Sequence, residues 1–139
     1  MISIREMTIE DLRLIEDELH RNAFGEILER RLGPAVVIED EQGPLCLGAG
    51  VVLWPGVAEI CFIPIALRNL TALIRRLRWL LEAGAKRYGI RRLQAFVQSG
   101  FAKGCRFAEC MGFEKEAVLK LHHYTGKDSI VYARFFDAS

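Results

Sequence analysis

Large aliphatic side chains recur at three- and four-residue spacing through the middle of the chain. The members of this stripe are Leu67, Leu70, Ile74, Leu77 and Leu81. Charged residues occupy the opposite positions of the same segment. The spacing predicts an amphipathic helix that begins at Leu67 and ends at Gly89.

Shorter apolar runs, bounded by Gly, Pro and Asp, predict β-strands on both sides of this helix. The expected strands cover 2–7, 35–38, 45–53, 58–63, 93–97, 113–123 and 129–136. Segment 58–97 is then one strand–helix–strand unit, whose strands normally lie parallel and adjacent. The sequence therefore predicts an α/β (α+β) fold, a mixed central sheet with helices on both faces and a parallel β-α-β unit at its centre.

Three further helices are expected. Thr8 and Asp11 have the spacing of a capping box, which predicts a helix running on through Leu19. A second short helix covers 24–32. A third runs from Ser99 to Met111 and ends at Gly112, where glycine tolerates a left-handed conformation.

The length and composition favour one globular domain over residues 1–139. Hydrophobic residues make up 51% of the chain and charged residues 27%, which excludes disorder or a coiled coil for the whole chain. No run of about 18 apolar residues predicts a membrane-spanning helix. Acidic residues stand near the start, where a signal peptide needs an apolar core, so we expect a cytoplasmic protein without membrane contacts.

The charge is strongly asymmetric although the net charge is only +1. Residues 1–67 carry 5 basic and 12 acidic side chains, a balance of −7, whereas residues 68–92 carry 8 basic and 1 acidic, a balance of +7. The basic block suits phosphates or polyanions, but a solvated helix face, whose charge the acidic N-terminal half balances, is the favoured interpretation. A nucleic-acid surface that uses Trp79 for stacking is the least favoured interpretation.

Four cysteines and three histidines raise the question of a metal site. The chain has no C-x-x-C motif. Cys105 and Cys110 lie five residues apart on an expected helix, where they point about 140° apart. We therefore expect no metal site.

The element order, together with the segment Phe107–Phe113 (FAECMGF), resembles the Gcn5-related N-acetyltransferase (GNAT) family. In that family a short helix closes on an apolar residue, Gly and Phe before the sixth strand. The resemblance implies acetyl transfer from acetyl-CoA, whose pyrophosphate rests on the N–H groups that begin the central helix.

The resemblance also implies a set of site residues. The expected cofactor-binding residues are Ile63, Ile65, Arg68, Asn69 and Thr71. Arg68 matches the first position of the family's phosphate loop, whereas Thr71 and Leu73 stand where that loop has glycines. Glu59, on the fourth strand, matches the carboxylate that accepts the proton of the acceptor amine.

Two other positions depart from the family pattern. Phe101 stands where an Asn is frequent, and Ala108 stands where a Tyr commonly protonates the leaving thiolate. Tyr124 is an alternative source of that proton. Glu59 itself is also compatible with a surface carboxylate at the start of a strand.

Two functions are therefore compatible with the sequence. The first is an acetyl-CoA-dependent N-acetyltransferase acting on a small amine or a protein. The second is a catalytically silent structural or interaction protein. Residues 93–113, the polar two-strand ending and the degraded phosphate loop also resemble small GNAT-like proteins of tailed bacteriophages, and this resemblance would place the protein in a virion. Family members often pair through their final strands, so a homodimer is a further expectation.

Overall fold

The computed structural model describes residues 1–66 and 68–137. The strands are β1 (Ser3–Glu6), β2 (Ala35–Asp40), β3 (Gly43–Trp54), β4 (Val57–Pro64), β5 (Arg92–Gln98), β6 (Glu114–Leu119) and β7 (Ser129–Phe135). The helices are a 3-10 helix (Ile9–Leu14), α1 (Glu18–Arg30), α2 (Leu70–Tyr88) and α3 (Ala102–Cys110). In the described ranges, no helix has the length and apolar character needed to span a membrane.

The strands form one sheet in the order β1-β2-β3-β4-β5-β7-β6. β4 and β5 are parallel, with Val57 opposite Arg92 and Glu59 opposite Gln94. The pairs β1–β2, β2–β3, β5–β7 and β6–β7 are antiparallel. Because α2 connects the two parallel strands, the predicted mixed α/β fold with a parallel β-α-β unit is confirmed.

The chain divides into two compact units. The first comprises Met1–Val52 and Ile60–Leu73, and the second comprises Leu53–Glu59 and Ile74–Ser139. The single domain expected over residues 1–139 stays a prediction.

Each unit has its own apolar core. The core of the first unit consists of Met7, Ile15, Phe24, Ala35, Val37, Leu47 and Ala49. In the second unit α2 buries Leu77, Leu81 and Ala85, as the three- and four-residue spacing predicts. α2 ends before Gly89, whose φ of +64° is left-handed; Leu67, where the helix was expected to begin, lies outside the described residues.

The predicted capping box is confirmed, but the helix that follows it is short. Asp11 Oδ2 accepts the Thr8 backbone N–H at 2.8 Å. The expected continuation to Leu19 is wrong, because Ile15 is extended and Asp17 caps a separate helix by accepting the His20 N–H. The chain therefore makes a 3-10 turn before α1.

Two expected boundaries near the C-terminal half are also wrong. α3 begins at Ala102 and not at Ser99, because Gly100 has a φ of +88° that no right-handed helix contains. β6 ends at Leu119 and not at His123, because Leu121 turns the chain with a φ of +55°. The expected left-handed Gly112 is confirmed by its φ of +92°.

Candidate active site

The predicted base, Glu59, lies on β4 within the second unit. Its neighbour across the parallel pair is Gln94 of β5. Burial raises the pKa of Glu59 above its ordinary value, while the Gln94 amide and the attraction of His122 pull that pKa back down. Glu59 is thus a half-buried carboxylate with a polar and a basic neighbour.

The orientation of Gln94 is set by a neighbouring ion pair. Arg92 Nε donates to Gln94 Oε1 at 3.0 Å, so the amide nitrogen is the end that remains for Glu59. The guanidinium of Arg92 also forms two hydrogen bonds, of 2.8 and 2.6 Å, with the Glu116 carboxylate on β6. Arg92 is therefore engaged, and Glu116 balances its charge.

His122 lies in the connection between β6 and β7, where it approaches the same group of residues. Its Nδ1 is 3.0 Å from the Oγ of Ser129, a fully buried residue at the start of β7. Its ring packs against Phe96 of β5, with centroids 4.8 Å apart. The expected strand over 113–123 included His122 and His123, but both residues follow the end of β6.

These side chains share one face of the sheet. Gln94 and Phe96 are two residues apart on β5, and the antiparallel register places Ser129 opposite Gln98, two residues farther on. The other face belongs to α3, because the Tyr132 hydroxyl donates to Glu109 of that helix at 3.1 Å. We call Glu59, Gln94, His122 and Ser129 the Glu59 cluster.

Sequence reasoning found Glu59 and missed the other three members of the Glu59 cluster. Gln94, His122 and Ser129 lie on β5, in a connection and on β7, and no motif links them. The pairing register alone brings them together. The only signal in the sequence was a pair of histidines just before the final hairpin turn.

The expected cofactor-binding residues lie in the first unit, on β4 and around the start of α2. The side chain of Ile63 packs against the core of that unit. The backbone N–H of Ile65, an expected donor, already donates to the Leu45 carbonyl at 2.8 Å. Thr71 is exposed in the first turn of α2, which contains no acidic residue.

Arg68 and Asn69 are both held by Asp40, at the end of β2. The Arg68 guanidinium donates to the two carboxylate oxygens at 2.8 and 2.6 Å, and the Asn69 amide donates at 3.1 Å. The Arg68 hydrogen bonds hold the pKa of Asp40 well below its usual range. We call this arrangement of Asp40, Arg68 and Asn69 the Asp40 clamp. In it, Asp40 binds Arg68, the arginine that was expected to contact the phosphates.

The backbone at the start of α2 nevertheless keeps donors. The Leu73 N–H donates to the Asn69 carbonyl at 2.9 Å, which is the first bond of the helix. The N–H groups of residues 70–72 precede that bond and have no partner inside the helix. An anion with several oxygens fits these donors, because the helix dipole is positive at this end.

The positions that depart from the family pattern offer no acid. Ala108 is buried in α3, and Phe101 is half exposed just before that helix. Tyr124, the alternative, is exposed and its ring lies 4.4 Å from that of His123.

Among known proteins, this chain matches solved structures but no family model or curated sequence. No family model matches the sequence. No curated protein matches it either.

Solved structures do match. The ribosomal-protein acetyltransferase RimL in complex with coenzyme A has a TM-score of 0.77 at 18% identity, covering 99% of this chain and 96% of that one. A spermidine N-acetyltransferase chimera from Vibrio cholerae and hSSAT has a TM-score of 0.76 at 14% identity, covering 96% of this chain and 95% of that one. A putative acetyltransferase, yncA, from Salmonella typhimurium with acetyl-CoA has a TM-score of 0.72 at 17% identity, covering 98% of this chain and 94% of that one. The chain therefore has the fold of the Gcn5-related N-acetyltransferases.

Proposed function

We propose that the protein is an acetyl-CoA-dependent N-acetyltransferase in which Glu59 accepts the proton of the acceptor amine. The observation that carries this proposal is the half-buried Glu59 carboxylate, which lies opposite Gln94 on the fourth strand of a GNAT fold. Its burial raises the pKa of Glu59 above the ordinary value. A carboxylate whose pKa moves toward neutrality is a better general base at neutral pH.

The proposed chemistry uses few residues. Acetyl-CoA, when bound, supplies an acetyl thioester that an amine attacks. The N–H groups at the start of α2 would hold its pyrophosphate, together with Arg68 if that side chain leaves Asp40. Glu59 would take the amine proton, and Gln94 would keep the carboxylate in place. The departing sulfur would take its proton from solvent, because Ala108 offers none.

The acceptor class follows from charge. Residues 1–67 carry a balance of −7, which favours a cationic acceptor. Of the proteins named above, one is a spermidine acetyltransferase and another is a ribosomal-protein acetyltransferase. We therefore propose a cationic amine, either a polyamine or a protein amino group, as the acceptor.

One observation favours a second candidate, a catalytically silent protein of the same fold. The Asp40 clamp occupies Arg68, and Thr71 and Leu73 replace the expected glycines. A protein that no longer binds acetyl-CoA would have this pattern and would act through a partner, as the resemblance to phage proteins suggested. The expected homodimer also stays a prediction.

Calorimetric titration with acetyl-CoA and with CoA separates the two candidates. The enzyme should bind both with micromolar dissociation constants and acetylate members of a panel of polyamines and peptides. No heat and no thermal stabilisation at millimolar ligand would instead support the silent protein.

The role of Glu59 has a matched control. Glu59→Gln should lower kcat/KM by about 10²–10⁴-fold, the usual range for a general base, and leave CoA binding unchanged. Glu114→Gln, which removes an exposed carboxylate from β6, should have no effect. Equal turnover by wild type and Glu59→Gln would remove Glu59 from the mechanism.

A further inference from the structure

The outward side of α2 carries a stripe of exposed residues, all within the second unit. They recur at three- and four-residue spacing, so they are neighbours on one face of the helix. Leu77 and Leu81, which the helix buries, lie on its other side. We call this stripe the arginine face, and its members are Arg75, Arg76, Trp79, Ala83 and Arg87.

The three arginines of this face have no bonded acidic partner. The one carboxylate of α2, Glu82, accepts a hydrogen bond of 2.7 Å from Arg134 of β7. Across residues 1–66 and 68–137, the guanidinium groups of Arg75, Arg76 and Arg87 form neither an ion pair nor a hydrogen bond. A face with uncompensated charge of one sign attracts an anion from outside the protein.

The other cations on the second half of α2 are directed elsewhere. Arg78 donates to the Cys110 carbonyl at 2.8 Å, so it is turned toward α3. Lys86 lines a concave surface together with the carboxylates of Glu82 and Asp137. The unpaired positive charge is therefore concentrated on the three arginines of the arginine face.

Trp79 lies in the middle of the arginine face and is 55% exposed. The guanidinium carbon of Arg76 lies 5.4 Å from the centre of its ring, a cation–π contact. One turn farther along, Ala83 has only a methyl group to place beside the indole. An exposed aromatic ring among arginines is the arrangement on which unpaired bases stack.

The spacing and the side-chain types favour a single-stranded nucleic acid over an acidic protein. Guanidinium groups match phosphate oxygens through paired hydrogen bonds. Arg76 and Arg87 are 11 residues apart, which is about 16 Å along the helix and about the length of five stacked nucleotides. A base can stack on Trp79, whereas a carboxylate side chain has no aromatic face to place there.

We propose that the arginine face binds single-stranded RNA or DNA, with one base stacked on Trp79 and phosphates held by the three arginines. The sequence alone made this interpretation the least favoured. The exposure of Trp79 and the pairing of Glu82 with Arg134 are the structural observations that favour it. The site uses no residue of the Glu59 cluster or of the Asp40 clamp, so it does not depend on the proposed acetyl transfer.

Fluorescence anisotropy with labelled oligouridylate and oligothymidylate tests the charges. Strands of about 12 nucleotides lie within the usual site sizes, and the tighter probe shows whether RNA or DNA is preferred. Three phosphate contacts predict a slope of about −2 for log K against log salt, which weakens binding about 20-fold between about 50 and 200 mM. Replacing Arg75, Arg76 or Arg87 by Gln should reduce that slope by about 0.7. Arg106→Gln, which removes an exposed arginine from α3, should leave slope and affinity unchanged.

Tryptophan fluorescence tests the stacking, because the chain has only two tryptophans. In Trp54→Phe the remaining Trp79 should be quenched when the oligonucleotide is added. In Trp79→Phe the remaining Trp54, at the end of β3, should keep its fluorescence. Trp79→Ala should weaken binding about 5- to 100-fold, the usual effect of losing one base–aromatic stack. Circular dichroism checks that each variant keeps its fold.

Four results would overturn the proposal. The first is no binding of either oligonucleotide at about 50 mM salt, where phosphate contacts are strong. The second is an unchanged affinity in the triple variant that replaces all three arginines by Gln, which would place the binding elsewhere. The third is unquenched Trp79 in the bound complex. The fourth is displacement of the oligonucleotide by polyglutamate of equal charge, which would assign the face to an acidic protein.

Discussion

Asp11 joins the start of the 3-10 helix to β1, and its removal is expected to destabilise the fold measurably. Its side chain is only 6% exposed. The carboxylate accepts the backbone N–H of Thr8 at 2.8 Å and two guanidinium N–H groups of Arg5 at 2.9 Å. A fourth bond, of 3.1 Å, comes from the Thr8 hydroxyl. Asp11→Ala removes all four bonds.

The magnitude follows from these contacts. Loss of a capping side chain costs about 1 kcal/mol. The Arg5 side chain is 40% exposed, so solvent screens the ion pair and it contributes about 1 kcal/mol at most. The free energy of unfolding should therefore fall by roughly 2 kcal/mol. With a urea slope of about 2 kcal/mol per M, the unfolding midpoint falls by roughly 1 M.

The effect should depend on pH with a definite sign. Hydrogen bonds from Arg5 hold the pKa of Asp11 well below its usual range, so the folded state keeps this carboxylate charged in acid. A lowered pKa contributes stability above the unfolded pKa, about 4 for Asp, that is lost as pH falls through the folded value. The gap between wild type and Asp11→Ala should stay constant from pH 7 to pH 5 and narrow below pH 4.

Urea unfolding followed by circular dichroism at pH 7, 5 and 3 tests this reasoning. Glu10→Ala, which removes the exposed neighbouring carboxylate, is the control and should change the midpoint little. A gap under about 0.5 kcal/mol at pH 7, the size of an ordinary surface effect, would refute the assignment. So would a gap that already closes between pH 7 and pH 5.

Two further predictions concern α2. Leu77→Ala truncates a fully buried side chain and should lower the free energy of unfolding by about 2–5 kcal/mol, measured in urea. The control, Arg75→Ala on the exposed side of the helix, should change it by no more than about 0.5 kcal/mol. A loss below about 1 kcal/mol for Leu77→Ala would contradict the helix register. Asp40→Asn should release Arg68 and tighten CoA binding by about tenfold in calorimetry, because a freed guanidinium forms charge-assisted bonds with phosphate. The double variant with Arg68→Ala should lose that gain, and an unchanged dissociation constant in Asp40→Asn would show that Arg68 plays no part.

Local chemistry made much of the fold predictable. The spacing of Leu77 and Leu81 determined the buried side of α2, and the strand–helix–strand order required parallel neighbours. Thr8 and Asp11 contact each other three residues apart, so their capping box was visible in the sequence. These features depend on neighbours within about one helical turn.

The features that sequence reasoning missed depend on distant partners or on single backbone angles. Leu121 has a left-handed φ that few residues of its type adopt, and this turn moves His122 off the strand. Ser129 meets His122 only because β7 pairs between β5 and β6. The hydrophobic periodicity of the sequence carries no information about which strands pair or in which register. The Glu59 cluster could therefore be identified only from the structure.

The start of α2 shows how the same residues can serve stability and limit binding. In the phosphate loop that this segment resembles, glycines leave the backbone open to a ligand. Here Leu73, at the last of those positions, is buried and contributes to packing. Asn69 adopts a left-handed φ of +53° and donates to the Asp40 carboxylate, which also holds Arg68.

The Asp40 clamp thus holds the start of the helix by contacts between the protein's own side chains. In a glycine-rich loop, by contrast, the backbone stays available to bind phosphate. A carboxylate and a pyrophosphate compete for the same guanidinium, so the clamp weakens any cofactor site in proportion to how well it is formed. An enzyme with this clamp should therefore bind CoA more weakly than its Asp40→Asn variant. A silent protein should bind CoA in neither form, because its remaining N–H donors at residues 70–72 would then be insufficient without a shaped loop.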